Sequence, residues 1–121
     1  MTTQEVAQQL VSQCSKGQFA EAMKGLYSPD ILSVEAAAMP GASRESKGLE
    51  AVLAKGEWWM QNHEVHSTTV EGPLVSGSHF CVRFKMDVTF KQTGKRMDMD
   101  ELAVYQVANG KIVREEFFYS V

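Results

Sequence analysis

The chain has 121 residues, of which 44% are apolar and 22% charged, with a formal net charge of −3. A chain of this length can bury roughly two-thirds of its surface, and we expect one domain over residues 1–121. The acidic balance argues against a nucleic-acid partner held through its phosphates, and no apolar run approaches the roughly 20 residues of a membrane span.

The elements follow in chain order. Thr2-x-x-Glu5 is a capping-box pattern, and Val6, Ala7, Leu10, Val11 and Cys14 continue it at helical spacing up to Gly17. Phe19, Ala22, Met23 and Leu26 repeat that period, and Ser28-Pro29-Asp30 ends the second helix. Ile31–Val34 reads as a first strand, and Ala36–Ser46, with Met39-Pro40-Gly41, reads as a loop. A third helix is predicted from about Gly48 to Asn62, with Leu49, Val52, Leu53, Trp59 and Met60 on its buried stripe. Everything after His63 reads as strand and turn. Val65–Glu71 is closed by Gly72-Pro73, and Phe80 to Phe90 alternates apolar with polar residues. Thr93-Gly94 turns the chain into Arg96–Val107, and Asn109-Gly110 turns it into Lys111–Tyr119. This is an α+β order, with the helices early and an antiparallel meander late.

Continuous ladders across both turns predict which side chains share a face. They place Met86 opposite Glu101, Val88 opposite Met99, Tyr105 opposite Arg114 and Ala103 opposite Glu116. The helix-covered face then holds Phe84, Met86, Val88, Phe90, Met97, Met99, Ala103, Tyr105, Ile112 and Phe118, with Glu101, Arg114 and Glu116 among them. Charges in such surroundings need partners or water. They form either a structural network near the sheet edge or the polar part of a small-molecule pocket. In the second case Glu101, its pKa raised by desolvation, suits acid/base catalysis. Tyr105, Arg114, Glu116, Trp58 and Met99 would line the ligand site, with His63 or His66 at its mouth. The His63-Glu64-Val65-His66 spacing does not match a helical zinc motif, so no metal and no cofactor are expected. On the opposite face Leu102, Val104, Val113, Phe117 and Tyr119 form an apolar patch, which predicts a homodimer. No basic-then-apolar leader opens the sequence, so a cytoplasmic location is expected, with Cys14 and Cys81 as free, buried thiols.

The element order, Leu26-Tyr27-Ser28-Pro29-Asp30 and the terminal Asn109-Gly110-Lys111-Ile112-Val113-Arg114-Glu115-Glu116-Phe117 resemble the SnoaL-like branch of the nuclear transport factor 2-like (cystatin-like) superfamily. Lys55-Gly56-Glu57-Trp58-Trp59 and Asn62-His63-Glu64-Val65-His66 resemble one SnoaL-like subgroup whose reaction is not established. The resemblance covers essentially the whole chain. It implies a curved antiparallel sheet with three helices closing a cone-shaped pocket, on which isomerases, cyclases, epoxide hydrolases, dehydratases and non-catalytic binding modules are all built. It also implies where chemistry would sit. The isomerase general base falls near Ala36, its oxyanion-binding carboxylic acid at Ala103 and its helix tyrosine near Val11, and all three positions are vacant. The polyketide-cyclase acid also falls near Ala103, one pleat from Glu101. Arg96-Met97-Asp98 is similar to the epoxide-hydrolase Arg-x-Asp but lies on the other face. The expected function is binding of an apolar or polycyclic small molecule, with isomerase, cyclase or lyase chemistry; the alternative is a non-catalytic binding or dimerisation module.

Overall fold

The computed structural model describes residues 1–38 and 41–120, so the Met39-Pro40 part of the predicted loop lies outside the described residues. The elements are α1 (Thr3–Ser15), α2 (Phe19–Leu26), β1 (Tyr27–Val34), β2 (Glu45–Lys47), α3 (Leu49–Asn62), β3 (His63–Ser76), β4 (His79–Phe90), β5 (Lys95–Ala108) and β6 (Lys111–Phe118). The capping box starts α1 as its residues dictate: the Glu5 amide donates to Thr2 Oγ1 at 3.1 Å, and the Thr2 amide donates to Glu5 Oε1 at 2.9 Å. Gly17, at φ 76°, supplies the left-handed residue that releases the chain into α2.

One six-stranded sheet runs in the order β2-β1-β6-β5-β4-β3. All neighbours are antiparallel except β1 and β6. Three helices lie against this curved, unclosed sheet. Val6, Ala7, Leu10 and Cys14 of α1, Ala22 and Leu26 of α2, and Val52 of α3 meet Ile31, Phe80, Val82, Phe84, Ala103, Tyr105 and Ile112 in the core. Strand β1 begins at Tyr27, four residues before the expected Ile31, and three further features differ from the sequence expectation. The short strand β2 pairs with β1 inside the predicted loop. Strand β3 runs on through Gly72-Pro73, where an irregularity in its pairing with β4 absorbs the dipeptide. Met60 is exposed rather than on the buried stripe of α3; that helix turns Val52, Lys55, Gly56 and Trp59 inward instead.

Both predicted hairpins form, with two changes of register. Amides of Thr93 and Gly94 donate to the Phe90 carbonyl, so a four-residue loop closes at Phe90–Lys95. The β4–β5 pairing moves by two residues and sets Phe84 opposite Glu101, Val88 opposite Met97 and Met86 opposite Met99. A two-residue shift keeps every side chain on its predicted face. The second change does not. Asn109-Gly110 makes the expected two-residue turn, pairing Ala108 with Lys111 and Val107 with Ile112. Val113 is then an extra residue, and Gln106 pairs with Arg114, Tyr105 with Glu115 and Ala103 with Phe117. This bulge inverts the rest of β6. Arg114, Glu116 and Phe118 therefore belong to the outer face, while Glu115 and Phe117 belong to the inner one.

The outer face carries bidentate pairs between Arg83 and Asp100 (2.9 and 2.6 Å) and between Arg96 and Asp87 (2.9 and 2.7 Å). These guanidinium contacts hold both carboxyls below the usual aspartate range. Beyond them the same face turns apolar, with Leu102, Phe118 and Leu74 exposed at 45%, 48% and 75%.

Candidate functional site

The inner end of β6 brings together residues from three parts of the chain. Glu115 is 2% exposed. It accepts hydrogen bonds from the Tyr27 hydroxyl on one oxygen and from Ser33 Oγ on the other, the latter at 2.7 Å. An irregularity between Tyr27 and Leu32 in the β1–β6 pairing lets two β1 residues six positions apart reach one carboxyl group. Lys55 of α3 donates to Ser33 Oγ at 2.7 Å, and its Nζ lies 3.7 Å from Glu35 Oε2. The same ammonium sits 5.7 Å from the centre of the Phe117 ring. Tyr105 stacks on Phe80 at 4.7 Å in the floor below.

Electrostatics follow from this burial. Desolvation pushes Glu115 above the usual carboxylate range, against the opposing hydrogen bonds from Tyr27 and Ser33. Burial, and then the Glu115 charge, lift Tyr27 and Tyr105 well above the usual phenol range and raise Cys14 to about 12. Glu101 lies on the same face of β5 as Ala103 and Tyr105 and is pushed up to about 7. Desolvation is the main cause, and the charges of Glu35 and Glu115 add to it while Lys55 opposes. Glu35 Oε2 is buried without a hydrogen-bond partner among the described residues. Tyr119 is raised by burial and then by Glu35, with its hydroxyl against the backbone of Ala36 and Ala37.

The sequence-derived candidates divide accordingly. Glu101, Tyr105 and Met99 share the inner face, and Met86, Phe90, Met97 and Met99 there are only partly covered. His63 packs at the end of α3, stacked at 4.2 Å on Trp59 and 5.1 Å from Phe90, with the exposed Trp58 edge-on at 6.5 Å. His66 is on the outer face, 2.7 Å from Thr89 Oγ1. Arg114 and Glu116 pair with each other at 2.9 Å on that outer side, away from Glu101, because of the β6 bulge. Phe117 and Tyr119 leave the predicted outer patch, and Phe118 joins it. Sequence reasoning missed Glu115, Glu35, Lys55, Ser33 and Tyr27. A charged residue inside the helical stripe that holds Val52 and Trp59 was the available signal for Lys55. Two surface clefts, lined by Pro29, Asp30, Leu32 and residues 47–51, 53 and 54, lie at the start of α3 rather than over Glu101. No group of three His, Cys, Asp or Glu among the described residues is placed to hold a metal.

The sequence profile of the SnoaL-like domain matches residues 1–119. The chain belongs to the SnoaL-like family. Among solved structures, a candidate SnoaL-like polyketide cyclase from Mesorhizobium loti is 46% identical to this SnoaL-like chain and superposes with a TM-score of 0.91, covering 98% of this chain and 100% of that one. A nuclear transport factor 2-like protein from Burkholderia thailandensis shares the fold at 19% identity, with a TM-score of 0.83 over 99% and 92% of the two chains. A cystatin-like protein of unknown function from Xanthomonas campestris does so at 16% identity, with a TM-score of 0.79 over 100% and 92%. No curated protein matches the sequence. The SnoaL-like chain thus has the expected cystatin-like architecture, and none of its helices is long and apolar enough to cross a membrane.

Proposed function

We propose that this single SnoaL-like domain binds an apolar or polycyclic carbonyl compound against the inner face of β4 and β5 and moves a proton on it. Isomerase, cyclase and lyase reactions all contain such a step. Glu35, one residue before the position the family resemblance gives to the general base, would take the proton from the carbon next to the carbonyl. Glu101 in its neutral form would donate a hydrogen bond to the carbonyl oxygen as negative charge develops there. The partly covered methionines Met86, Met97 and Met99 would hold the apolar body. One observation carries this reading. Burial raises Glu101 to about 7 while Glu35, near enough to add to that rise but one-third exposed, pairs with Lys55. Two carboxyl groups in one apolar site thereby acquire different tasks.

Deuterium exchange into 2-tetralone, a bicyclic ketone with acidic C–H bonds, tests the proposal. Wild-type protein should catalyse exchange in D2O, and Glu35→Gln and Glu101→Gln should each reduce the rate by about 100-fold or more. Exchange untouched by either substitution would sink the assignment. Binding without exchange would favour the second reading, a non-catalytic ligand-binding or dimerisation module, in line with the hydrogen-bonded state of Glu115 and the location of both clefts away from Glu101. We also propose a cytoplasmic homodimer formed through Leu74, Leu102, Val104 and Phe118 on the outer face, where an exposed apolar patch borders a charge ladder.

A further inference from the structure

Lys55 is the one cation the interior sets beside Glu35, Glu101 and Glu115 among the described residues. In an apolar ligand site such a lysine would ordinarily anchor an anion, such as a substrate carboxylate. Its surroundings here point the other way. Glu35 Oε2 faces Nζ at 3.7 Å from the end of β1. Ser33 Oγ accepts from Nζ and donates onward to Glu115 Oε2, each at 2.7 Å, so the buried carboxyl group acts on the ammonium through one hydroxyl. The Phe117 ring covers another side of the ammonium at 5.7 Å. Ligand would meet a lysine whose charge is already matched by two carboxyl groups, with Glu101 as a third acidic group nearby.

We infer that Lys55 is a specificity-determining residue: locked by Ser33 to Glu115 and by its ion pair to Glu35, it leaves the site selective for uncharged carbonyl or phenol ligands and closed to carboxylates. The inference rests on the ligand site proposed above. An entering carboxylate would have to displace Glu35 or lie unpaired beside Glu35 and Glu115, and an uncompensated charge in such surroundings is costly. A neutral oxygen can accept from Glu101 without disturbing the lysine.

Two probes of one shape separate these cases: 2-naphthol, neutral at about pH 6, and 2-naphthoate, ionised there. Binding is measured by calorimetry and located by the methyl resonances of Met86 and Met99. Naphthol should bind and shift these methyls, with naphthoate at least about tenfold weaker. Glu115→Gln removes one matching carboxylate and should narrow the gap to about threefold or less. Glu35→Gln, at a position one-third exposed, should do the same, and it carries the test if Glu115→Gln does not fold. Naphthoate binding as tightly as naphthol to the wild type overturns the inference and leaves the ligand site standing. A gap unchanged in the folded variants overturns it equally. Binding of neither probe overturns the ligand site itself, and the inference with it.

Discussion

Glu101 shares its strand face with Met97, Met99, Ala103 and Tyr105, and this company makes its ionisation expensive. Its carboxyl group titrates at about 7 in the folded chain against 4.5 for an ordinary glutamate. The folded state therefore holds the proton over a range where the unfolded chain has lost it. Stability must fall as pH rises from about 4.5 to about 7, and level off above, with a loss of at most about 3 kcal/mol. Glu115, also raised, acts in the same direction. Glu101→Gln removes its share of this cost, so the variant should unfold at higher denaturant concentration than the wild type at about pH 8 and nearly the same concentration at about pH 4. Equal midpoints at both pH values would show that Glu101 is not desolvated. Its placement beside Met99 was readable from residue types and a period-2 pattern. Glu115 was not, because its neighbours in sequence gave no sign of which face it would take.

That face is decided at the level of the strand. Alternation predicted β4 and β5 correctly even though the turn register was off by two, since an even slip returns every side chain to its own side. In β6 a single extra residue, Val113, reversed the outcome for Arg114, Glu115, Glu116, Phe117 and Phe118. A bulge of this kind has no reliable mark in sequence, because it is stabilised by what the strand meets on either side. Here those are Tyr27 and Ser33 on β1 and Tyr105 on β5. Deleting Val113 should leave a straight ladder with Tyr105 still opposite Glu115, at a cost of about 1–2 kcal/mol. An alanine inserted between Val113 and Arg114 makes two extra residues, so a regular ladder keeps Glu115 inward but slides it from Tyr105 to Ala103, away from Tyr27 and Ser33, at a cost above about 4 kcal/mol. Urea unfolding compares the two, and an insertion no costlier than the deletion would contradict this account of the bulge.

Across the whole molecule the two sheet faces differ in what covers them. The inner one is covered by helices at the Phe80–Phe84 end and only partly covered over Met86, Met97 and Met99, where the proposed ligand would lie. The outer one ends in Leu74, Leu102 and Phe118, whose exposure a second copy of the chain would relieve. Phe118→Glu places a charge in that patch and should give a monomer in size-exclusion chromatography coupled to light scattering. Phe117→Glu should instead destabilise the fold, since that ring points inward beneath Lys55. A Phe118→Glu protein of unchanged dimeric mass would refute the interface.

The sequence by itself determined the helices, the long strands, both hairpins and the α+β order, because caps, turn residues and hydrophobic periods act over a few neighbours. It also determined that Glu101 would stand in an apolar setting. Only the tertiary structure decided that Glu115 rather than Arg114 or Glu116 is interior, and that Lys55 crosses from α3 to meet Ser33 and Glu35. Those contacts join residues up to 88 positions apart. They depend on one bulge and on how closely a helix approaches a sheet, quantities set by packing of the whole chain rather than by any local run of residues.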